Sequence, residues 1–150
     1  MKKIVLLLLI CASFNAQSPI LDLYNDKDEM NTPVNAYYKD IPNFFNQFVG
    51  TWIYVNGLEK LEIRFRKREM MLSRPGEYQY YEDVLVGEYK YINPDGVEKV
   101  NSLLNLNVNH LSYFDYNLYS GSQMSNNSVA PFCPECPPGT KRLYIPVVHY

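Results

Sequence analysis

The sequence predicts an all-β protein built mainly from antiparallel strands. Three observations carry that reading: short runs in which apolar and polar residues alternate, turn residues between those runs, and fourteen tyrosines among 150 residues. Aromatic and β-branched side chains suit a pleated, half-buried surface, and the tyrosine hydroxyl lets one end of a packed ring reach water.

The clearest element is a hairpin. Gly50-Thr51-Trp52-Ile53-Tyr54-Val55 leads into Asn56-Gly57, and the run from Leu58 to Met71 sets Leu61, Ile63 and Phe65 against Glu62, Arg64 and Arg66. Alternation gives the returning strand one buried face, and Asn-Gly favours a type I′ turn because both residues accept positive φ. A second unit follows Pro75-Gly76, where Tyr81 to Tyr91 approaches Asn93-Pro94-Asp95-Gly96. Gly50, Trp52, Tyr54, Asn56 and Gly57 align by role with Gly87, Tyr89, Tyr91, Asn93 and Gly96, the second turn being longer. Its Asn-Pro-Asp-Gly run supplies a type I turn closed by a glycine with positive φ.

Two more strands are expected where Leu104, Leu106 and Val108 alternate with Asn105, Asn107 and Asn109, and where Phe114, Tyr116 and Leu118 alternate with Asp115, Asn117 and Tyr119. The short link around His110 favours antiparallel neighbours. Residues 120–140, rich in Gly, Ser, Asn and Pro, read as a long loop. Leu143, Ile145 and Val147 form a last strand that Pro146 confines to an edge or a bulge. The pattern gives about seven strands.

Ahead of the sheet, residues 17–40 are polar and broken by Pro19 and Pro33, a loose lead-in. Phe44, Phe45 and Phe48 form a compact aromatic face, either on a short helix over residues 41–48 or on an irregular segment docked against the core. The chain opens Met1-Lys2-Lys3 and runs apolar from Ile4 to Ala12, too short to span a bilayer, as in a secretory signal peptide cleaved after Ala16. Bulky Ile10 before Cys11 disfavours lipidation. The expected organisation is a signal peptide at 1–16, a polar segment at 17–40 and a single β-rich domain at 41–150. The product is periplasmic or extracellular, with no transmembrane segment in its mature form. Loss of Lys2 and Lys3 takes the formal net charge from −2 to −4, and no basic surface remains to favour nucleic acid.

Phe48-Val49-Gly50-Thr51-Trp52 resembles the Gly-x-Trp opening of lipocalins and fatty-acid-binding proteins. That resemblance implies an antiparallel calycin-like barrel around a small hydrophobic ligand, with Trp52 closing one end. A C-terminal region with one strand after Thr140 implies a barrel that is only partly closed. A fuller resemblance, over residues 44–100, is to small uncharacterised exported proteins of flavobacteria and related bacteria. It rests on the signal peptide, on Phe48 to Trp52 with Tyr54, and on Asp83-x-Leu85-x-Gly87-Glu88-Tyr89-x-Tyr91.

The chemistry-bearing residues are sparse. Cys133-Pro134-Glu135-Cys136 fits a local disulfide in an exported protein. The prolines that follow, and the lack of a thioredoxin-like βαβ context, weigh against a thiol redox enzyme. A zinc site combining Cys133 and Cys136 with His110 and His149 lacks a second close ligand pair. Adjacent Glu82 and Asp83 point to opposite faces of a strand and make a poor acid-base pair, with Asp83 suited to a turn or sheet end. Arg64, Arg66 and Arg68 share one strand face, which is solvent-exposed unless it lines a cavity, where it would form an anion site. No Ser-His-acid spacing, phosphate loop or cofactor motif is present, and no catalytic or metal residues are assigned.

The candidate ligand-facing residues, chosen by strand position and ring chemistry, are Trp52, Tyr54, Tyr89 and Tyr91. The expected role is non-enzymatic binding of a small apolar or amphipathic ligand. A cell-envelope or surface interaction module bound to an envelope protein is the alternative. Trp52 is expected to matter more for packing than for any chemical step, its truncation costing about 3–5 kcal/mol if the indole is deeply packed.

Overall fold

A computed structural model of the protein describes residues 18–26, 31–74, 76–121, 123–125 and 132–146. The signal peptide assigned to residues 1–16, with Cys11, lies outside these residues, as do Val147 and His149. The described strands, in chain order, are β1 (Ile20–Asp22), β2 (Tyr37–Lys39), β3 (Gly50–Asn56), β4 (Glu59–Arg74), β5 (Tyr80–Ile92), β6 (Glu98–Asn101), β7 (Leu118–Ser120), β8 (Gln123–Ser125) and β9 (Lys141–Leu143).

β5 organises the sheet because both of its edges are paired. One edge meets β4 from Tyr80 to Ile92. The other is shared by three short strands: β2 at Tyr81 and Glu82, β7 from Leu85 to Gly87, and β6 from Lys90 to Ile92. With β1 beyond β2 and β3 beyond β4, seven strands form one sheet, while β8 and β9 make a separate ribbon. The sheet is mostly antiparallel and curls through 195° into a partly open, calycin-like half-barrel. Two pairings, β1 with β2 and β2 with β5, are parallel.

Several sequence expectations change. Within the segment expected to be a loose lead-in, Ile20–Asp22 and Tyr37–Lys39 form β1 and β2, whose three-residue lengths leave no period to detect. Of the two readings of residues 41–48, a short helix or an irregular segment docked on the core, the structure has the docked phenylalanines on a single 3-10 turn, Phe44–Gln47, with left-handed Asn43 before it. The strands expected around Leu104 to Asn109 and Phe114 to Tyr119 are 3-10 turns at Leu103–Asn107 and Tyr113–Asp115, followed by short β7. Period-two spacing alone could not distinguish them, because side chains, not ladder hydrogen bonds, hold this stretch. In the first hairpin Asn56 pairs with Glu59, so the two-residue loop is Gly57-Leu58. Only Gly57 takes positive φ there, the signature of a type II′ turn rather than the expected type I′. The second hairpin turns at Asn93-Pro94-Asp95-Gly96 as expected, with Gly96 at φ 76° and its N–H bonded to the Asn93 carbonyl at 2.9 Å.

Each face of the β5 region carries its own core. On the face of Phe65 and Leu85, a cluster of Leu23, Ala36, Tyr38, Phe45, Tyr80 and Leu85 is buried, with Phe44 and Phe48 packed against it. The opposite face buries Met71, Val84, Val86, Leu106, Tyr113 and Tyr116. Val84, Leu85 and Val86 are therefore all fully enclosed, the continuous apolar run of a strand covered on both faces. Phe65 lies directly across from Gly87, and a Cβ at Gly87 would sit 2.5 Å from the Phe65 ring, so only glycine lets that ring lie over the strand.

Four carboxylates lie within these cores. Asp83 and Asp40 are fully buried beside the Lys67 ammonium, which stands 3.0 Å from Asp40 and 3.5 Å from Asp83. Asp83 accepts hydrogen bonds from the Tyr37 hydroxyl at 2.5 Å, the Asp40 N–H at 3.0 Å and the Met70 N–H at 3.1 Å. Asp40 accepts from the Phe44 N–H at 2.7 Å, the Phe45 N–H at 3.1 Å and the Tyr24 hydroxyl at 2.9 Å. A buried charge is tolerated when it is paired and its lone pairs are filled, and both conditions hold. Asp83, expected at a turn or sheet end, is instead the centre of a polar hub. On the other face, fully buried Glu88 accepts from the Asn105 amide at 2.7 Å and from the Asn117 amide at 2.6 Å, fastening the two 3-10 turns. Glu82 holds the Ser73 hydroxyl, which in turn meets the Tyr113 hydroxyl at 3.0 Å.

Asp83→Asn places an amide where the hub supplies only donors, and it is expected to cost about 3 kcal/mol in urea unfolding. Burial, then the bond to Asp40, raises Tyr24 above the usual tyrosine value of 10.0, and burial with the bond to Asp83 does the same for Tyr37. A folded value above the unfolded one gives stability that is complete below pH 10.0 and is lost as pH rises further. The unfolding free energy is accordingly expected to fall above that pH. Tyr37→Phe, compared by chemical denaturation across the alkaline range, should show a shallower fall.

Candidate functional site

Between Arg68 and Met71 the pairing of β4 with β5 slips by one residue, so that Glu69 and Met70 together face Asp83. This is a β-bulge, and Met70 within it takes the left-handed conformation at φ 53°, where glycine is the usual occupant. The Met70 N–H bond to Asp83 helps hold that conformation in place. The bulge interrupts the alternation of β4 and borders a cleft of about 440 Å3.

The cleft is walled by Met70, Met71, Leu72, Leu111, Tyr81 and Tyr116, with Arg68, Glu69, Asn109 and His110 supplying its polar groups. Arg68 is fixed rather than free. Its Nη2 donates to the Leu106 carbonyl at 3.1 Å and the Val108 carbonyl at 3.2 Å, and its guanidinium lies 5.9 Å from the Tyr116 ring centre. Its buried Nε has no hydrogen-bond partner among the described residues. The imidazole of His110 packs edge-on against Tyr116, with ring centres 4.8 Å apart, and Nε2 lies 2.8 Å from the Asn105 side-chain oxygen. Since Asn105 also binds Glu88, the cleft wall is continuous with the buried carboxylate network. Arg64 and Arg66 are exposed, as expected, whereas Arg68 lines a cavity, the alternative the sequence left open.

The four candidate ligand-facing residues lie elsewhere in the sheet. Trp52, Ile63 and Tyr89 form one transverse row, and Tyr54, Leu61 and Tyr91 form the next, all on the face of Phe65. The alignment of Gly50, Trp52 and Tyr54 with Gly87, Tyr89 and Tyr91 is therefore an alignment in space across β4. This surface is open, with a shallow recess of about 160 Å3 near Trp52, Tyr54, Leu61 and Ile63. The Tyr91 hydroxyl donates to Glu59 at 2.8 Å, a bond that raises its pKa. Trp52 donates its indole N–H to the Phe48 carbonyl at 2.9 Å, yet it remains 52% exposed, so the condition of a deeply packed indole is not met. Leu61 and Ile63 are likewise only half-buried, while Glu62 on the other face is 8% exposed, held by Arg64 at 2.6 Å and Lys60 at 3.4 Å. Hydrogen bonds from Arg64 keep the Glu62 carboxyl below its usual range.

The chain belongs to DUF6705, a family of unknown function that matches residues 1–149. No curated protein and no solved structure matches it.

Cys133 and Cys136 are joined in a disulfide across a turn closed by the Cys136 N–H and the Cys133 carbonyl at 3.1 Å. Oxidised in this way they are not zinc ligands, and His110 is engaged with Asn105. Among the described residues no group of three or more His, Cys, Asp or Glu side chains is placed to hold a metal ion. No helix among them is long and apolar enough to cross a membrane.

The cleft was missed in the sequence because the bulge that forms it depends on a distant carboxylate, although the unbroken polar run Arg66-Lys67-Arg68-Glu69 within an alternating strand was a signal. With half of the Trp52 indole in solvent, Trp52→Ala is expected to cost about 1–2 kcal/mol, below the 3–5 kcal/mol of a deeply packed ring. Chemical unfolding followed by circular dichroism measures the difference.

Proposed function

We propose that the protein is exported and binds a small amphipathic molecule in the cleft beside the Met70 bulge, without catalysing a reaction on it. The observation that carries this reading is the conjunction of apolar walls with the Arg68 side chain in the cleft lining. The volume of about 440 Å3 falls within the roughly 300–1,000 Å3 of ordinary small-molecule sites. Met70 and Met71 supply adaptable apolar contact, and Arg68 supplies a fixed positive charge toward which a carboxylate or similar oxyanion head would orient. The calycin-like half-barrel is consistent with a ligand-binding architecture. Export rests on the Met1-Lys2-Lys3 start and the apolar run behind it. Kinship with small exported flavobacterial proteins belongs to the same proposal, on the residues from Phe48 to Trp52 and from Asp83 to Tyr91.

A second reading, an envelope or surface interaction module, is favoured by the exposure of apolar side chains on both faces of β3. Titration with a fluorescent long-chain carboxylate separates the two. Saturable binding weakened about tenfold by Arg68→Gln, and unchanged in Tyr54→Ser, is expected of the cleft. Binding lost in Tyr54→Ser and retained in Arg68→Gln would move the ligand to the open aromatic face. No saturable binding of this probe would leave the interaction module as the better reading.

A further inference from the structure

β3 is a terminal strand of the sheet, and among the described residues no strand pairs with its outer edge. All seven of its residues are exposed, including Ile53 at 58% and Val55 at 60%. The usual protections of an edge are missing. Gly50-Thr51-Trp52-Ile53-Tyr54-Val55-Asn56 contains no charge and no proline, and its register with β4 runs without a bulge. An uncharged, regular edge with apolar side chains on both faces presents a row of backbone donors and acceptors to another extended strand.

The hairpin fixes which groups those are. Asn56 and Glu59 flank the two-residue loop and form a hydrogen-bonded pair, so Gly50, Trp52, Tyr54 and Asn56 bond inward to β4. Thr51, Ile53 and Val55 therefore direct their N–H and C=O groups outward. Two copies brought together antiparallel about Ile53 would set Ile53 against its counterpart, and Thr51 against the partner copy's Val55, each pair exchanging both backbone bonds. In the same register Trp52 opposes the other copy's Tyr54 on one face, an aromatic pair at the close, non-hydrogen-bonded spacing. No charge opposes a like charge anywhere along the seven residues, because the strand carries none. The two-fold axis of such a pair runs normal to the sheet, so both half-barrels keep the same face inward and the sheet continues through the junction.

We propose that β3 is a homodimerisation edge, pairing antiparallel with β3 of a second copy of this chain in the register centred on Ile53. A contact of about seven residues a side is smaller than the roughly 20–30 a side of a standard stable interface, so the dimer is reversible and concentration-dependent. The proposal is independent of the ligand reading, since no residue of β3 lines the cleft.

Sedimentation equilibrium of the oxidised protein should show a monomer-dimer equilibrium. Ile53→Pro removes an outward N–H without touching the β3–β4 ladder, and Ile53→Lys places like charges against each other across the axis. Both should shift the dissociation constant upward at least tenfold, with circular dichroism unchanged from wild type. Ile53→Cys reports the register: its thiol meets its counterpart and should give a covalent dimer on mild oxidation, whereas Val55→Cys, facing Thr51 of the other copy, should not. A monomer at every soluble concentration would overturn the proposal. So would a dimer equally tight in folded Ile53→Lys protein, or cross-linking by Val55→Cys in preference to Ile53→Cys.

Discussion

The structure depends on one ammonium group held between two buried carboxylates. Lys67 on β4 stands between Asp83 on β5 and Asp40 at the end of β2, and the two acids collect backbone and tyrosine donors from four separate segments. Desolvating three charges is expensive, and such a cluster is tolerated only where nearly every lone pair is filled. Here the filling is what specifies the fold. Asp40 receives the N–H groups of Phe44 and Phe45 and so starts the 3-10 turn that delivers Phe48 to the base of Trp52. Asp83 receives the Met70 N–H and so holds the bulge. The cleft beside Met70 is thus a by-product of the same charge cluster that anchors the N-terminal strands.

Glu88 plays the corresponding part on the opposite face. Among the described residues the segment from Leu103 to Asn117 has no ladder partner, and its backbone is secured by side chains: Asn105 and Asn117 on Glu88, and Arg66 and Arg68 on the carbonyls of Leu106 and Val108. Alternating asparagines in this stretch are therefore hydrogen-bonding equipment for irregular backbone, although their spacing imitates a strand with one wet face.

Much of the sheet was legible in the sequence, for reasons that can be named. The two hairpins announce themselves through Asn-Gly and Asn-Pro-Asp-Gly, and the aligned glycines and aromatics of β3 and β5 are rows that share β4 as their middle member. The candidate rings at Trp52, Tyr54, Tyr89 and Tyr91 share a face for that reason. What could not be read depends on contacts distant in the chain. Strands of three residues have no periodicity, and the buried state of Asp83 follows only from a lysine sixteen residues earlier and a tyrosine in the N-terminal segment. The bulge shifts the alternation of β4 midway, which conceals which of its arginines lines a cavity. The degree of burial was the least legible quantity of all, because an alternating pattern marks a face without saying whether anything covers it.

The division of one edge of β5 among three short strands has a kinetic consequence. Strands β2, β7 and β6 come from three separated parts of the chain, and each contributes only two or three paired residues to that edge. Exposed β6 can lift away while the β4–β5 ladder and the other two remain, whereas β2 carries Tyr37 and Tyr38 and leads into Asp40 of the buried hub, so that openings along this edge differ in cost. Each opening bares a different stretch of the same central strand. Backbone amides along β5 that bond to β4 then exchange with solvent on the slow scale of whole-domain unfolding, and their neighbours that bond to the short strands exchange on faster, separate scales. One strand thereby reports two kinds of stability, alternating residue by residue along its length.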